Sequence, residues 1–432
     1  MKGKKFYAGV ASALLLSSVL AGCSSSNDEG SSSAASEDQV TVDIFQYKVE
    51  FKEQFEDIVK QYEEENPGVN INVKTVGGGN DYGSALKSAF ASGEEPDIFN
   101  VEGPSVVEEY KDYLTDLSDT KAADAALEGT LESVTDGEEV HGLPYNQEGY
   151  GLIYNKTIFE KAGINPDDIL TFEDLEDAVE TLDNHKEKLG IEAVFALPAK
   201  EKWVTGNHLS NAFVAPEFND NPLDAYEAET IAFEKGDEMK RFLDLQNQYS
   251  VQPSISLDYS QQVEELFSLE GVAMIQQGNW VYNAIYEMDP EFAKNNIGII
   301  PIPVEGHEGS LPVGVPNYWA VNNNSDDEVI EASKDFLDWL YTSETGKEVV
   351  LNDFKFIPAY EGYDTSQIAD PLSQEIYQYA DEGKTIGWVF MGYPSAWTDN
   401  VLGAYIQKYL SGEMTWEELE DISQSKWEEA RQ

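Results

Sequence analysis

Two tryptophans that follow turns at the ends of predicted strands are the residues best suited to ligand contact. Trp280 comes shortly after the apolar run 271–275, and Trp319 follows a turn that carries Gly and Pro. An indole ring offers a plane on which the apolar C–H face of a sugar can stack. We predict that Trp280 and Trp319 are such platforms, with Trp203 and Trp397 as weaker candidates. The alternative for each is a tryptophan packed in the core.

Polar side chains at the same kind of position could bind the hydroxyls of a sugar. Lys48 and Glu50 follow the first predicted strand, and Asn100 and Glu102 follow the third. Asn279 directly precedes the first of the two tryptophans. Carboxylates, amides and ammonium groups supply the hydrogen bonds that fix a polar ligand in a pocket. These residues are candidate ligand contacts, and solvated loop positions are the alternative.

The charge balance excludes several classes of function. Among 432 residues, 82 are acidic and 27 basic, so the net charge is −55, and the only arginines are Arg241 and Arg431. A nucleic-acid binder needs clustered Lys and Arg, and receptors for anions commonly use Arg forks. The four histidines show no spacing typical of metal ligands. The sequence therefore predicts no nucleic-acid partner, no metal and no cofactor, and it favours an uncharged ligand.

Two other functions remain open from the residues alone. A secreted carbohydrate-active hydrolase needs two carboxylates at a set separation, and with 82 acidic residues some pair always fits. No Gly-x-Ser-x-Gly and no His-Glu-x-x-His motif occurs. A polyamine receptor would also use an acidic cleft with tryptophan walls.

The first residues predict export and attachment to a membrane. Lys2, Lys4 and Lys5 precede the apolar run 6–21, which is too short to span a bilayer comfortably. The run ends in Leu-Ala-Gly-Cys, an order that resembles the bacterial lipobox, and Cys23 is the only cysteine. We expect a signal peptide over 1–22, lipid on Cys23 and a flexible tether over 23–39. A secreted protein with an incidental cysteine is the alternative.

Hydrophobic periodicity predicts an α/β protein. Alternating residues predict strands at 40–45 and 69–73, and 97–101 is predicted as a third short strand. Helical spacing predicts helices at 51–62 and 82–90 between them. This order implies a parallel sheet, whose ligands gather beyond the carboxyl ends of the strands. A second α/β region begins near Gly149. Its signals are capping boxes at Thr171/Asp174 and Thr415/Glu418, strands at 151–156, 271–275 and 297–303, and a helix at 328–341. The stretch 311–321 carries Gly314, Pro316 and Trp319.

An ordered series of short motifs resembles the large bacterial family of extracellular solute-binding lipoproteins of carbohydrate ABC importers, which includes the maltodextrin-binding protein. Its raffinose and multiple-sugar branch is the most similar. The motifs are Phe55 to Pro67, Glu95-Pro96-Asp97-Ile98, His141-Gly142-Leu143-Pro144-Tyr145, Leu152-Ile153-Tyr154-Asn155-Lys156, Phe159 to Asp174, Gly271 to Trp280, Pro301-x-Pro303, Val313-Gly314 and Trp319-Ala320-Val321.

The resemblance implies a two-lobed, periplasmic-binding-protein-like α/β fold with hinge crossings and a ligand cleft between the lobes. Lobe I is expected to comprise 40–148 plus 309–357, and lobe II 149–308 plus 358–432. The crossings are expected near 147–151, 306–311 and 356–361. This arrangement would place Gln147 and Glu148 at the cleft floor and return Asp399 to the cleft.

The function implied by the resemblance is that of a receptor without catalytic activity. It would be a monomer, lipid-anchored at the outer face of the cytoplasmic membrane. It would capture an oligosaccharide and deliver it to the permease subunits of an ABC transporter.

Overall fold

The computed structural model describes residues 39–76 and 82–432. The predicted signal peptide, the lipidation site Cys23 and nearly all of the predicted tether lie outside these residues. Within the described part of the chain, no helix has the length and apolar character needed to cross a membrane.

Strands of two larger sheets and one small hairpin run through the described chain. In chain order they are β1 Val40–Gln46, β2 Val69–Thr75, β3 Ile98–Val101, β4 Thr135–Asp136, β5 Glu139–Val140, β6 Leu143–Pro144, β7 Glu148–Asn155, β8 Ala193–Phe195, β9 Val272–Gly278, β10 Ile297–Ile300, β11 Leu311–Gly314, β12 Tyr318–Val321 and β13 Thr385–Ile386.

Helices connect and cover these strands. The α-helices are α1 Lys52–Glu65, α2 Tyr82–Ser92, α3 Pro104–Tyr110, α4 Lys121–Ala125, α5 Lys156–Ala162, α6 Phe172–Asn184, α7 Lys186–Leu189, α8 Ser210–Val214, α9 Pro222–Glu227, α10 Gly236–Gln248, α11 Tyr282–Met288, α12 Pro290–Asn295, α13 Asp327–Thr342, α14 Glu344–Asn352, α15 Pro371–Asp381, α16 Gly403–Leu410 and α17 Trp416–Ala430. Wider π-helical turns occupy Val204–Leu209, Gln261–Phe267 and Thr398–Leu402. Tighter 3₁₀ turns occupy Val49–Phe51, Lys111–Tyr113, Glu132–Val134, Pro166–Asp168, Ala215–Phe218, Ser254–Ser256, Asn279–Val281, Thr365–Gln367 and Val389–Gly392.

Lobe I is built on a five-stranded sheet with the order β2-β1-β3-β12-β6. Strands β1, β2 and β3 are parallel, as the strand–helix alternation predicts, while β12 runs antiparallel to β3. Side chains alternate between two cores, so that Ile44 packs toward α1 and α13, whereas Phe45 packs toward α2 and α3. The sheet is thus covered on both faces.

Lobe II is built on a second, mixed sheet with the order β13-β11-β7-β9-β8, and β10 also pairs with β7. Every residue of the central strand β7 is buried, which fits its apolar sequence and its cover of helices on both faces. Both predicted capping boxes are present and begin α6 at Thr171 and α17 at Thr415. The two-lobed α/β prediction is confirmed.

Two of the predicted lobe boundaries are wrong. The prediction assigns 309–357 to lobe I, but β11 pairs with β7 and β13 in the sheet of lobe II. The chain crosses to lobe I only after β11, at 315–317, because Pro316 interrupts the extended run and lets β12 join the other sheet.

The last boundary also lies later in the chain than predicted. The prediction assigns 358–432 to lobe II, yet Ala359 and Tyr360 are buried in the lobe I core. Backbone hydrogen bonds tie this stretch to lobe I, since Leu127 N–H donates to the Ala359 carbonyl. Leu372 packs in lobe II, so the chain returns to that lobe between 364 and 371.

Candidate functional site

The cleft lies where the strand ends of both sheets meet. In lobe I, the carboxyl ends of β1 and β3 and the start of the antiparallel β12 lie at one edge. In lobe II, the start of β7 and the ends of β9 and β11 lie at the facing edge. Between these edges is a cavity of about 520 Å³. This volume is within the range of about 300–1,000 Å³ typical of small-molecule sites.

Lobe II lines the cleft with an aromatic wall formed by Trp203, His208, Trp280, Trp388 and Phe390. His208 is at its centre, with its ring centroid 5.2 Å from that of Trp203, 5.1 Å from Trp280 and 5.9 Å from Trp388. Several ring planes at this spacing offer stacking surfaces for an extended ligand with apolar faces.

His208 has a structural role within the aromatic wall. Its ring stacks on buried Tyr150 with centroids 4.3 Å apart and planes inclined by 14°. Burial among aromatic rings lowers the pKa of His208 to about 3, because desolvation penalises the charged imidazolium. The ring is therefore neutral throughout the physiological range and adds no positive charge to the cleft.

Trp280 is held in one orientation by glycine and by a chain of buried amides. Its ring lies over Gly278, where a Cβ atom would be 2.2 Å from the indole. The indole N–H donates to Gln277 Oε1 at 2.8 Å, and Gln277 Nε2 donates to Gln262 Oε1 at 2.7 Å. Gln262 in turn donates to the Ala196 carbonyl at 2.8 Å. Such a fixed ring loses little conformational entropy when a ligand covers it.

The lobe I face and the cleft floor are polar. Tyr47, Glu102 and Ser105 line the cleft from lobe I, and Glu102 is exposed. At the floor, Lys48 Nζ lies 2.6 Å from Glu148 Oε1, and both side chains are almost fully buried. This pair joins the end of β1 in lobe I to the start of β7 in lobe II, and it neutralises the floor.

The structure places six of the predicted site residues in the cleft. They are Lys48, Glu102, Glu148, Trp203, Trp280 and Asp399. Glu102 and Asp399 are exposed carboxylates, and Lys48 is the only cationic side chain among the described residues of the lining. Glu102 faces the aromatic wall from lobe I, whereas Asp399 lies on lobe II beside that wall.

The prediction that Trp319 stacks on a ligand is wrong. The side chain lies on β12 and is fully buried in the lobe I core, with its ring 4.6 Å from Tyr145. Its indole N–H donates to Tyr341 Oη at 2.7 Å. The weaker candidate Trp397 is also a core residue, because it is buried in lobe II and donates to the Ser423 carbonyl.

Four other predicted contacts do not line the cleft cavity. Asn100 is buried, and its Nδ2 points to the Tyr318 carbonyl at 3.5 Å. Gln147 donates to the Pro358 carbonyl within the hinge. Asn279 accepts from the Gly149 N–H and donates to Ser373 Oγ. The side chain of Glu50 lies outside the described part of the chain. The first three have structural partners instead of an open path to a ligand.

Several cleft residues were not predicted. They are Tyr47, Ser105, Asn207, His208, Trp388, Phe390 and Tyr393. Trp388 follows β13 just as Trp280 follows β9, so the same turn signal could have identified it. It lies over Gly314 of β11, where a Cβ atom would be 2.5 Å from the indole.

A carboxylate near the hinge predicts a pH effect on stability. Asp370 is buried, accepts from Leu372 N–H and Ser373 Oγ, and desolvation raises its pKa to about 7. The native state thus holds a proton that the unfolded state releases near pH 4, so stability falls as pH rises from about 4 to 7. The slope is at most about 1.4 kcal/mol for each pH unit. We expect Asp370→Asn to lack this part of the pH dependence.

Chemical denaturation of wild type and Asp370→Asn at pH 4.5, 6 and 7.5 measures this effect. Asn keeps an acceptor for the Leu372 N–H, so the helix cap is preserved. The variant should gain stability relative to wild type as pH rises. A constant difference between the two proteins would contradict the assignment.

No group of three or more His, Cys, Asp or Glu side chains suited to a metal ion occurs in residues 39–76 and 82–432. The chemistry that the cleft residues themselves support is recognition by hydrogen bonds and stacking.

Comparison with known proteins adds to this geometry. A family model described as bacterial extracellular solute-binding protein matches residues 48–347. The multiple sugar-binding protein of Streptococcus mutans is 23% identical over 352 residues, which cover 76% of each chain. The melibiose/raffinose/stachyose-binding protein MelE of Bacillus subtilis is 23% identical over 343 residues, which cover 77% of this chain and 76% of that one.

Solved structures share the two-lobed fold. RafE in complex with raffinose superposes with a TM-score of 0.74 at 20% sequence identity. The match covers 91% of this chain and all of the RafE chain.

Proposed function

The chain belongs to the bacterial extracellular solute-binding protein family, and we propose that it binds a neutral oligosaccharide in the cleft between its lobes. The observation that supports this proposal most directly is the aromatic wall of lobe II, which includes Trp203, Trp280 and Trp388. This wall faces the polar side of lobe I across one cavity. Sugar rings have apolar C–H faces that cover indole planes and hydroxyls that bind carboxylates.

The charge of the cleft supports a neutral ligand. Lys48 is bound to Glu148, and the remaining charged groups of the described lining are the carboxylates of Glu102 and Asp399. A carboxylate or phosphate on the ligand would meet these acids without a free arginine fork. The relatives named for multiple sugars and for melibiose, raffinose and stachyose support an α-galactoside or a similar oligosaccharide as ligand.

We further propose that the protein performs no chemistry on its ligand. As a monomer, lipid-anchored through Cys23 at the outer face of the cytoplasmic membrane, it would present the closed, loaded cleft to the permease of an ABC transporter. Binding of the ligand favours the closed conformation, and the permease would contact that conformation.

Loss of the Trp280 plane should weaken binding. We expect Trp280→Ala to lower affinity for the tightest oligosaccharide about tenfold or more, since both stacking and buried area are lost. Trp280→Phe keeps a plane and should lose less. The melting temperature of the empty protein should fall less than after removal of a core tryptophan, because the Trp280 side chain is only partly buried. Calorimetric titration of both variants, together with their melting curves, tests this expectation.

A thermal-shift screen with raffinose, stachyose, other neutral oligosaccharides and spermidine tests the function itself. Stabilisation by one or more oligosaccharides supports the proposal. Stabilisation by spermidine alone would favour a polyamine receptor and refute it. Sugar cleavage that scales with protein concentration would favour a hydrolase and refute the claim that no chemistry occurs.

A further inference from the structure

One short segment of lobe II contributes both to the aromatic wall and to the contact between lobes. We call residues 387–393, which follow β13, the strap. Trp388 and Phe390 of the strap line the cleft with ring centroids 5.2 Å apart. The strap also contacts lobe I, because Ser105 Oγ donates to the Tyr393 carbonyl at 3.1 Å. Wall and lobe contact therefore belong to one stretch of seven residues.

The lobe contact is a close approach of backbones. A Cβ atom on Gly103 would lie 3.0 Å from the carbonyl oxygen of Met391 in the strap. Gly103 directly precedes α3, so the start of this lobe I helix packs against the strap in this structure. A displacement of the strap would thus alter the wall and the lobe contact together.

At both ends of the strap, a glycine packs closely against the backbone of lobe II. A Cβ atom on Gly387 would lie 1.8 Å from the Asp220 carbonyl oxygen, and one on Gly392 would lie 2.0 Å from the Pro222 carbonyl oxygen. No other residue type allows backbones to approach so closely. Between these two glycines the strap runs along the side of lobe II that lines the cleft.

Asn211 holds the strap from inside the lobe. Its side chain is fully buried, and its Nδ2 donates to the Gly387 carbonyl at 2.9 Å. Its Oδ1 accepts from the Phe390 N–H at 3.2 Å. One amide thus satisfies backbone groups three residues apart and fixes the turn that directs Trp388 and Phe390. Asn211 does not itself line the cleft.

Arg431 holds the far end of the strap. Its Nη2 donates to the Gly392 carbonyl at 2.5 Å and to the Ala225 carbonyl of α9 at 2.9 Å. The guanidinium carbon lies 5.2 Å from the Trp427 ring and 5.3 Å from that of Tyr226, so its plane is fixed by aromatic neighbours. This residue, too, is outside the cleft lining.

We propose that Asn211 and Arg431 are positioning residues for ligand binding. They hold the strap as one rigid segment, which places Trp388 and Phe390 in the cleft and contacts lobe I when the lobes close. This inference rests on the proposed oligosaccharide function. Hydrogen bonds that fix a binding surface before the ligand arrives reduce the ordering cost of binding. Their loss should therefore weaken binding even though neither side chain reaches the ligand.

Arg431→Met and Asn211→Ala test the proposal, with Arg241→Met as the matched control. Arg241 is the only other arginine, and it pairs with Glu173 and Glu176 on lobe II, away from the strap. The readout is the affinity for the tightest oligosaccharide, measured by calorimetry at least 20 °C below each melting temperature. We expect a loss of roughly fivefold to tenfold for each strap variant and none for the control.

The outcomes separate the possible roles. Strap variants that bind as tightly as wild type would overturn the proposal. Affinity that falls only in proportion to the folded fraction would assign both residues a structural role alone and would also overturn it. Arg431→Lys, which keeps the charge and donors, should recover part of the loss. If wild type binds no oligosaccharide, the proposed function fails, and this inference fails with it.

Discussion

Glu148→Gln is expected to lower the free energy of unfolding by about 3 kcal/mol or more and to weaken ligand binding. The substitution removes the carboxylate 2.6 Å from Lys48 Nζ, so a nearly buried ammonium loses this counter-charge at the cleft floor. Breaking a buried ion pair by removing one partner typically costs 3–5 kcal/mol. Binding should weaken because Lys48 lines the cleft and its ammonium would lose the contact with Glu148.

Denaturant unfolding of wild type, Glu148→Gln and a variant without either charge measures this effect. The double variant Lys48→Met/Glu148→Leu removes both charges and should recover most of the stability lost in Glu148→Gln. Asp57→Asn breaks the exposed pair with Lys60 and serves as the matched surface control, with little expected change in stability. A Glu148→Gln protein as stable as the surface control would contradict the buried-pair account.

Trp319→Ala is expected to cost about 3–5 kcal/mol of stability, the usual effect of removing a tryptophan from a packed core. The change removes a stack on Tyr145 and on Phe55, with centroids 4.6 and 5.5 Å away, and deletes the hydrogen bond to Tyr341 Oη. Protein that remains folded should bind the ligand normally, because the ring does not line the cleft.

Melting curves and titrations of Trp319→Ala beside Trp280→Ala provide the comparison. The first variant should lose stability and keep affinity, and the second should lose affinity and less stability. Trp319→Phe, which retains an aromatic ring in the core, should lose less stability than Trp319→Ala. Loss of affinity with an unchanged melting temperature in Trp319→Ala would restore the stacking role predicted from the sequence.

The different placements of Trp280 and Trp319 show what the sequence signal contains. Each follows a turn rich in Gly or Pro, and that signal alone made both of them candidates. Trp280 lies two residues beyond the end of β9, whereas Trp319 lies inside β12. Successive side chains of β12 point to opposite faces of the sheet, and both faces are packed against a hydrophobic core. Turn residues mark a strand boundary without showing on which side of it the ring lies.

Local patterns predicted most elements because their causes are local. Alternation predicted β1 and β2, and side-chain caps predicted the starts of α6 and α17. The aromatic wall has no such local cause. His208 is on a π-helical turn and Phe390 on the strap, and they meet 5.6 Å apart only through packing of distant segments. The assignment of 309–357 to one lobe was wrong for a similar reason, because β11 pairs with β7, a strand that is distant in sequence.

The most direct test of the account is a crystal structure of the protein with the oligosaccharide that stabilises it most. The account predicts a sugar ring on the indole of Trp280, further contacts with Trp203 or Trp388, and hydroxyls directed to Glu102 across the cleft or to Asp399 beside the wall. A sugar bound outside the cavity, with the aromatic wall uncovered, would contradict the central claim.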